Sequence, residues 1–103
     1  LAATRKLAES HRATIVLKGR HTMIGQVDGP VLVNSTGNSG LGQGGSGDVL
    51  AGFLGGFLAQ PQFHDRVIQA VAYAVWQHGH AADRLEGTGG YWGMDALIHA
   101  LGN

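Results

Sequence analysis

The stretch GLGQGGSGDVLAG, Gly40 to Gly52, divides the chain into two parts of different periodicity. Ahead of it the apolar residues come in short β-branched runs, and behind it they recur at helical spacing. Glycine supplies 18 of the 103 residues, against an ordinary share of about 7 per cent. These glycines gather at 37–56 and 87–93 instead of spreading out as in a linker. Clustering of that kind marks places where backbone is pressed close to another group or held at positive φ.

Residues 1–10, LAATRKLAES, predict a helix with Leu1, Leu7 and Ala8 on one side. ATIVLKG, Ala13 to Gly19, predicts a short buried strand. HTMIGQV and PVLVN flank Asp28-Gly29, a hairpin signal, so two antiparallel strands are expected over 22–34. Residues 35–45 hold turn formers and Leu41. From Ser46 a helix is expected, with Val49, Leu50, Phe53, Leu54, Phe57 and Leu58 on a core stripe. Gly52, Gly55 and Gly56 lie inside it, each costing about 1 kcal/mol relative to alanine, which predicts close approach by another backbone. A second helix spans about 65–85 with Val67, Ile68, Val71 and Val75 inward, and Asp95 opens a short last helix over 96–101. One strand, a hairpin and two to three helices make an α/β chain with too few strands for its helices to cover. Residues 1–103 are therefore expected to be the C-terminal portion of a single larger domain, or a fragment that needs a partner.

Seven basic and seven acidic residues balance with no dense run of either sign. Nothing in that balance points to electrostatic capture of nucleic acid or of an anionic membrane, and neither is expected as a partner. No segment reaches the roughly 20 apolar residues of a membrane span, and cysteine is absent, so disulfides and thiolate zinc sites are excluded. The expectation is a soluble cytoplasmic protein acting on small molecules, associated with further copies of itself or with the remainder of its domain.

Three readings compete for Gly40 to Asp48. Gly42, Gly44 and Gly47 spell G-x-G-x-x-G, but a dinucleotide fingerprint needs a parallel strand directly ahead of it, and here a hairpin and a loop precede. Asp48 in place of lysine excludes a Walker A loop. A structural reading has the glycines break the chain, with Ser46 or Asp48 capping the next helix. The third makes Gly45, Ser46 and Gly47 an anion cradle at a helix start, where unpaired N–H groups meet a phosphate. A carboxylate beside a phosphate is repelled unless a metal or a transferable proton lies between them. Asp48 then suits a base that takes the proton from a hydroxyl attacking the terminal phosphate, which points to phosphoryl transfer.

VLKGRHT, NSTGNSGL and GGSGDVLAG, together with LAQ at 58–60 and HGHAAD at 78–83, resemble the ADP/ATP-dependent NAD(P)H-hydrate dehydratases over almost the whole chain. The resemblance implies a ribokinase-like three-layer α/β/α fold, of which these residues are the last third or so. It implies an enzyme that uses ADP, or ATP, with Mg2+ to return hydrated NADH or NADPH to the normal cofactor. ADP is the expected nucleotide here. The K-G-x-x-T segment, Lys18, Gly19, Arg20, His21 and Thr22, would bind the nucleotide. Gly47 would contact it through backbone, Gly45 and Ser46 would complete the cradle, and Asn38 would shape the loop carrying the phosphates. Asp48 would meet the hydrated nicotinamide as the base. The family's T-P-H-P-G-E segment, which also grips that substrate, is not among these 103 residues. Two other readings stay open: a small-molecule kinase of the same superfamily, for hydroxymethylpyrimidine or a sugar, and a non-catalytic nucleotide-binding remnant.

Lys18, read without the resemblance, is an ordinary solvated lysine, with complementing a phosphate as the alternative. His78 and His80 are two apart on a helix and diverge by about 200°, so they do not share a metal ion. Trp76, Tyr91 and Trp92 are read as core or interface anchors, with adenine stacking as the alternative.

Overall fold

The computed structural model describes residues 2–19 and 21–101. It divides into two compact units, Leu1–Ser35 and Thr36–Asn103.

The first unit opens with helix α1, Ala2–His11, followed by strands β1, Ile15–Leu17, β2, Met23–Gly25, and β3, Leu32–Val33. The strands form one antiparallel sheet in the order β1-β2-β3, with Ile15 opposite Gly25 and Met23 opposite Val33. The expected strand pair is present, but its connection is longer than the two-residue turn that Asp28-Gly29 suggested. Gly29 sits at φ 114°, and the Gln26 side-chain amide closes the connection by donating to the Pro30 carbonyl at 2.9 Å. α1 packs on β2 through Thr4 and Ala8, both fully buried. A Cβ on Gly25 would lie 2.9 Å from the Thr4 carbonyl oxygen, so only glycine admits the helix here. Leu7 stays 39% exposed, so Thr4 takes the inward place expected of it; Leu1 lies outside the described residues. β1 is half-buried and not the buried strand expected, because α1 covers one face and Leu17 turns outward.

In the second unit a 3-10 turn, Ser39–Gly42, leads into α2, Ser46–Leu58. Another short turn, Pro61–Phe63, precedes α3, Val67–Glu86, and α4, Met94–Ala100, ends the unit. α3 buries Ala70, Val71, Ala74, Val75, Ala81 and Ala82, while Val67 is exposed, so its small residues carry much of the packing face. Leu97 of α4 and Trp92 of the preceding loop close the core against Ala81 and Ala82. Asp95 does not open α4: Gly93 is its N-cap and Asp95 lies in the first turn.

The α2 stripe is less buried than its periodicity suggests. Leu50 is buried, whereas Val49, Phe53, Leu54, Phe57 and Leu58 are half-buried. Phe57 is edge-on to Phe53, Phe63 and Tyr73 at ring separations of 5.0, 5.5 and 5.6 Å. The expected close backbone approach to Gly52, Gly55 and Gly56 is absent, since a Cβ on any of them meets nothing within 4 Å. Gly55→Ala is therefore expected to stabilise the chain by about 0.5–1 kcal/mol, the helix-propensity difference with no steric cost. Chemical denaturation of the two forms checks it.

Candidate functional site

The second unit builds its loop from α3 outward. Thr36 Oγ1 donates to the Trp76 carbonyl at 2.8 Å. The Gly37 amide and the Asn38 Nδ2 donate to the two carboxylate oxygens of Asp83, at 3.0 and 2.9 Å. With its amide nitrogen so engaged, Asn38 turns Oδ1 inward to accept the Gly40 N–H at 2.9 Å, capping the 3-10 turn. Gly37 holds φ 109°, a left-handed bend that a side chain would strain. Asn38 thus spends both ends of its amide on the loop's own shape.

The chain then reaches Gly45, at φ 96°, which is the N-cap of α2 and makes no side-chain cap. Neither Ser46 nor Asp48 caps the helix, as the structural reading of the loop expected. The Ser46 hydroxyl instead donates back to the Leu41 carbonyl, and its amide reaches the Gln43 carbonyl at 3.4 Å. The first cap bond runs from Val49 N–H to the Gly45 carbonyl at 3.0 Å. The amides of Gly47 and Asp48 fall in the first turn, where a helix offers them no intrahelical acceptor. Of the three cradle residues, Ser46 is held from inside while Gly45 and Gly47 leave their positions free of a Cβ.

Asp48 is exposed and lines, together with Val49, Gly52, Phe53, Ile98 and Leu101, an open apolar depression of about 390 Å3. A carboxylate beside an apolar depression can face a ligand that is polar at one end and ring-like at the other. Lys18, Gly19, His21 and Thr22 belong to the first unit, in the connection between β1 and β2; Arg20 lies outside the described residues. Lys18, Gly19 and His21 are exposed and Thr22 is half-buried, its carbonyl accepting the Asn34 N–H at 2.8 Å.

Sequence reasoning assigned no part to three residues that build this turn. Asp83 clamps the loop, Gln43 Nε2 ties it to the Trp92 carbonyl at 3.1 Å, and His78 Nε2 lies 3.1 Å from the Ser46 carbonyl oxygen. The HGHAAD segment holds two of them, but its partners lie more than 30 residues away, so no local pattern ties them to the loop. His80 stacks on Trp76 at 4.6 Å, a neighbour on its own helix. Trp92 is buried, with Nε1 donating to Glu86 at 3.0 Å, whereas Tyr91 is 97% exposed.

A family model described as NAD(P)H-hydrate dehydratase matches residues 1–100. The chain is 43% identical over 89 residues to an ADP-dependent (S)-NAD(P)H-hydrate dehydratase of Neisseria meningitidis, covering 86% of itself and 29% of that protein. It is 44% identical over 100 residues to a bifunctional NAD(P)H-hydrate repair enzyme of Gloeobacter violaceus, covering 97% of itself and 19% of that protein. Among solved structures it superposes on an ADP/ATP-dependent NAD(P)H-hydrate dehydratase of Bacillus subtilis, co-crystallised with ATP/Mg2+, with a TM-score of 0.87 and 32% identity. That match covers 97% of this chain and 36% of the other. A ribokinase-like superfamily protein of Enterococcus faecalis gives a TM-score of 0.81 at 35% identity, over 98% of this chain and 34% of that one. The chain spans less than a third of the two curated relatives' length and about a third of the solved structures. With this fold and these signatures, it belongs to the NAD(P)H-hydrate dehydratase family and is part of a ribokinase-like α/β domain.

Proposed function

We propose that this chain is the nucleotide- and base-bearing portion, the C-terminal one, of an enzyme that dehydrates hydrated NADH and NADPH at the expense of ADP, or of ATP. The observation that carries the reading is the first turn of α2. One turn presents Gly45 in a left-handed cap, the amides of Gly47 and Asp48, and the exposed Asp48 carboxylate beside an apolar depression.

The amide end of a 13-residue helix favours a phosphate. Asp48 takes the proton of the hydrate hydroxyl as its oxygen bonds to the terminal phosphorus, and the bond from that phosphorus to the departing AMP, or ADP, breaks. Phosphate then leaves with the former hydroxyl oxygen, and loss of a proton from the adjacent carbon restores the double bond. Lys18, Gly19, Arg20, His21 and Thr22 are assigned to the nucleotide, with Lys18 set against phosphate charge. Asn38 acts by holding the loop, and Ser46 by bracing the cradle.

No group of three or more His, Asp or Glu side chains that could hold a metal is present among the described residues. Mg2+ is ordinarily held by one or two carboxylates together with substrate phosphates, so a single exposed Asp48 fits an ion that arrives on the nucleotide. Bound there, Mg2+ would offset the charge between the Asp48 carboxylate and the phosphates.

The test is recovery of reduced-nicotinamide absorbance when the full-length protein meets hydrated NADH, Mg2+ and either ADP or ATP. Recovery is expected, and faster with ADP. A stable phosphate ester formed without recovery would assign the site to a small-molecule kinase. No reaction with either nucleotide would leave a binding remnant and overturn the dehydratase.

A further inference from the structure

We propose that His78 is a positioning residue for the start of α2, holding the peptide plane whose N–H, that of Gly47, meets the nucleotide phosphate. The phosphate half of this statement rests on the function proposed above; the geometry of the plane does not.

His78 lies on α3 and is 6% exposed. A carbonyl oxygen can only accept, so the contact of 3.1 Å to the Ser46 oxygen requires the proton on Nε2, with the imidazole donating. The Ser46 carbonyl and the Gly47 nitrogen belong to one planar trans peptide unit, in which C=O and N–H point opposite ways. Pinning the oxygen to α3 therefore aims the Gly47 N–H away from α3. That amide is among those the helix leaves without an intrahelical acceptor.

The restraint adds to the hydrogen bonding of α2 itself at a turn that its glycines leave easy to deform. Glycines flank Ser46 on both sides, and Gly45 already occupies the left-handed region, so neighbouring side chains do little to fix the plane. Ser46 Oγ ties the residue to Leu41, and the His78 contact adds, on the peptide unit that contains the Gly47 amide, to the bond that the Ser46 carbonyl accepts within α2. Donation into that carbonyl also polarises the unit and strengthens its N–H as a donor. A buried donor from the adjacent helix thus both aims and sharpens an anion-binding group on the other side of one peptide bond.

Two measurements on the full-length protein test this: the amide resonance of Gly47 in a 1H–15N spectrum, and ADP affinity by calorimetry. His78→Leu removes the donor. His78→Asn keeps a polar side chain, but its amide nitrogen matches Nδ1 and falls short of Ser46. Both are expected to move the Gly47 resonance and to weaken ADP about tenfold, the upper range for one hydrogen bond. His78→Gln, whose nitrogen matches Nε2, is expected to restore both. His78→Asn decides the matter if His78→Leu fails to fold. A Gly47 resonance unmoved in the variants overturns the positioning role. An ADP affinity unchanged while the resonance moves overturns its link to the nucleotide. If the unaltered protein binds no ADP, the proposed function falls and the phosphate half of the inference falls with it; the resonance still decides whether His78 holds the plane.

Discussion

Asp48→Asn is expected to lower turnover of hydrated NADH by about 10²- to 10⁴-fold, the contribution of a positioned general base. ADP affinity is expected to hold or tighten slightly, because the change removes a negative charge near the phosphates while leaving the amides of the first turn in place. Stability is expected to change little. Asp48 is exposed and makes no cap, so what it gives α2 is the attraction of a carboxylate for a helix N-terminus, about 0.3–1 kcal/mol. A large kinetic loss with an almost unchanged melting temperature separates chemistry from folding. Steady-state kinetics, calorimetric titration with ADP and a thermal melt read the three quantities. Turnover retained at the level of the parent would remove Asp48 from the role of base.

Gly79→Ala carries the largest expected effect on folding, and its sign opposes helix propensity. Gly79 is buried inside the 20-residue helix α3, where alanine would ordinarily gain about 1 kcal/mol. A Cβ there would lie 2.7 Å from the Thr36 carbonyl carbon and 2.8 Å from its oxygen, both backbone atoms. That backbone has little room to retreat. Thr36 Oγ1 is bound to the Trp76 carbonyl on one side, and Gly37 and Asn38 are bound to Asp83 on the other. Overpacking of this kind costs about 1–3 kcal/mol, enough to outweigh propensity. A net loss of up to about 2 kcal/mol follows, with the loop that carries Asn38 displaced. Urea denaturation of the variant, beside Gly55→Ala, gives the contrast: the same substitution in two helices with opposite signs. A Gly79→Ala chain as stable as its parent would show that the loop yields freely.

Much of the fold was legible in the sequence because it rests on local periodicity. The four helices, the strand pair over 22–34 and the helix start at Ser46 are all present, with other ends shifted by a few residues. The clusters do hold positive-φ positions, at Gly37, Gly45 and Gly89, and what local reasoning misassigned were the glycines inside α2. Gly52, Gly55 and Gly56 looked like contact positions on account of their density, yet they face open space. The close backbone approaches are at Gly25 and Gly79, single glycines in otherwise ordinary segments, while inside the dense loop Gly40 lies against the Trp92 ring. A missing Cβ is visible in sequence, but what presses against it is not.

The same division runs through the site. The resemblance carried by the motifs from VLKGRHT to GGSGDVLAG was enough to reach the family, and the glycine pattern singled out the turn at Gly45 to Asp48, because a helix start is an anion site by its own backbone geometry. The tertiary structure decided how that turn is held. Asp83 lies 45 residues from Asn38 and His78 lies 32 from Ser46, each brought into hydrogen-bonding range only by the packing of α3 behind the loop. Local sequence specifies a donor or an acceptor; which of them meet depends on helix packing, and that is a property of the whole unit.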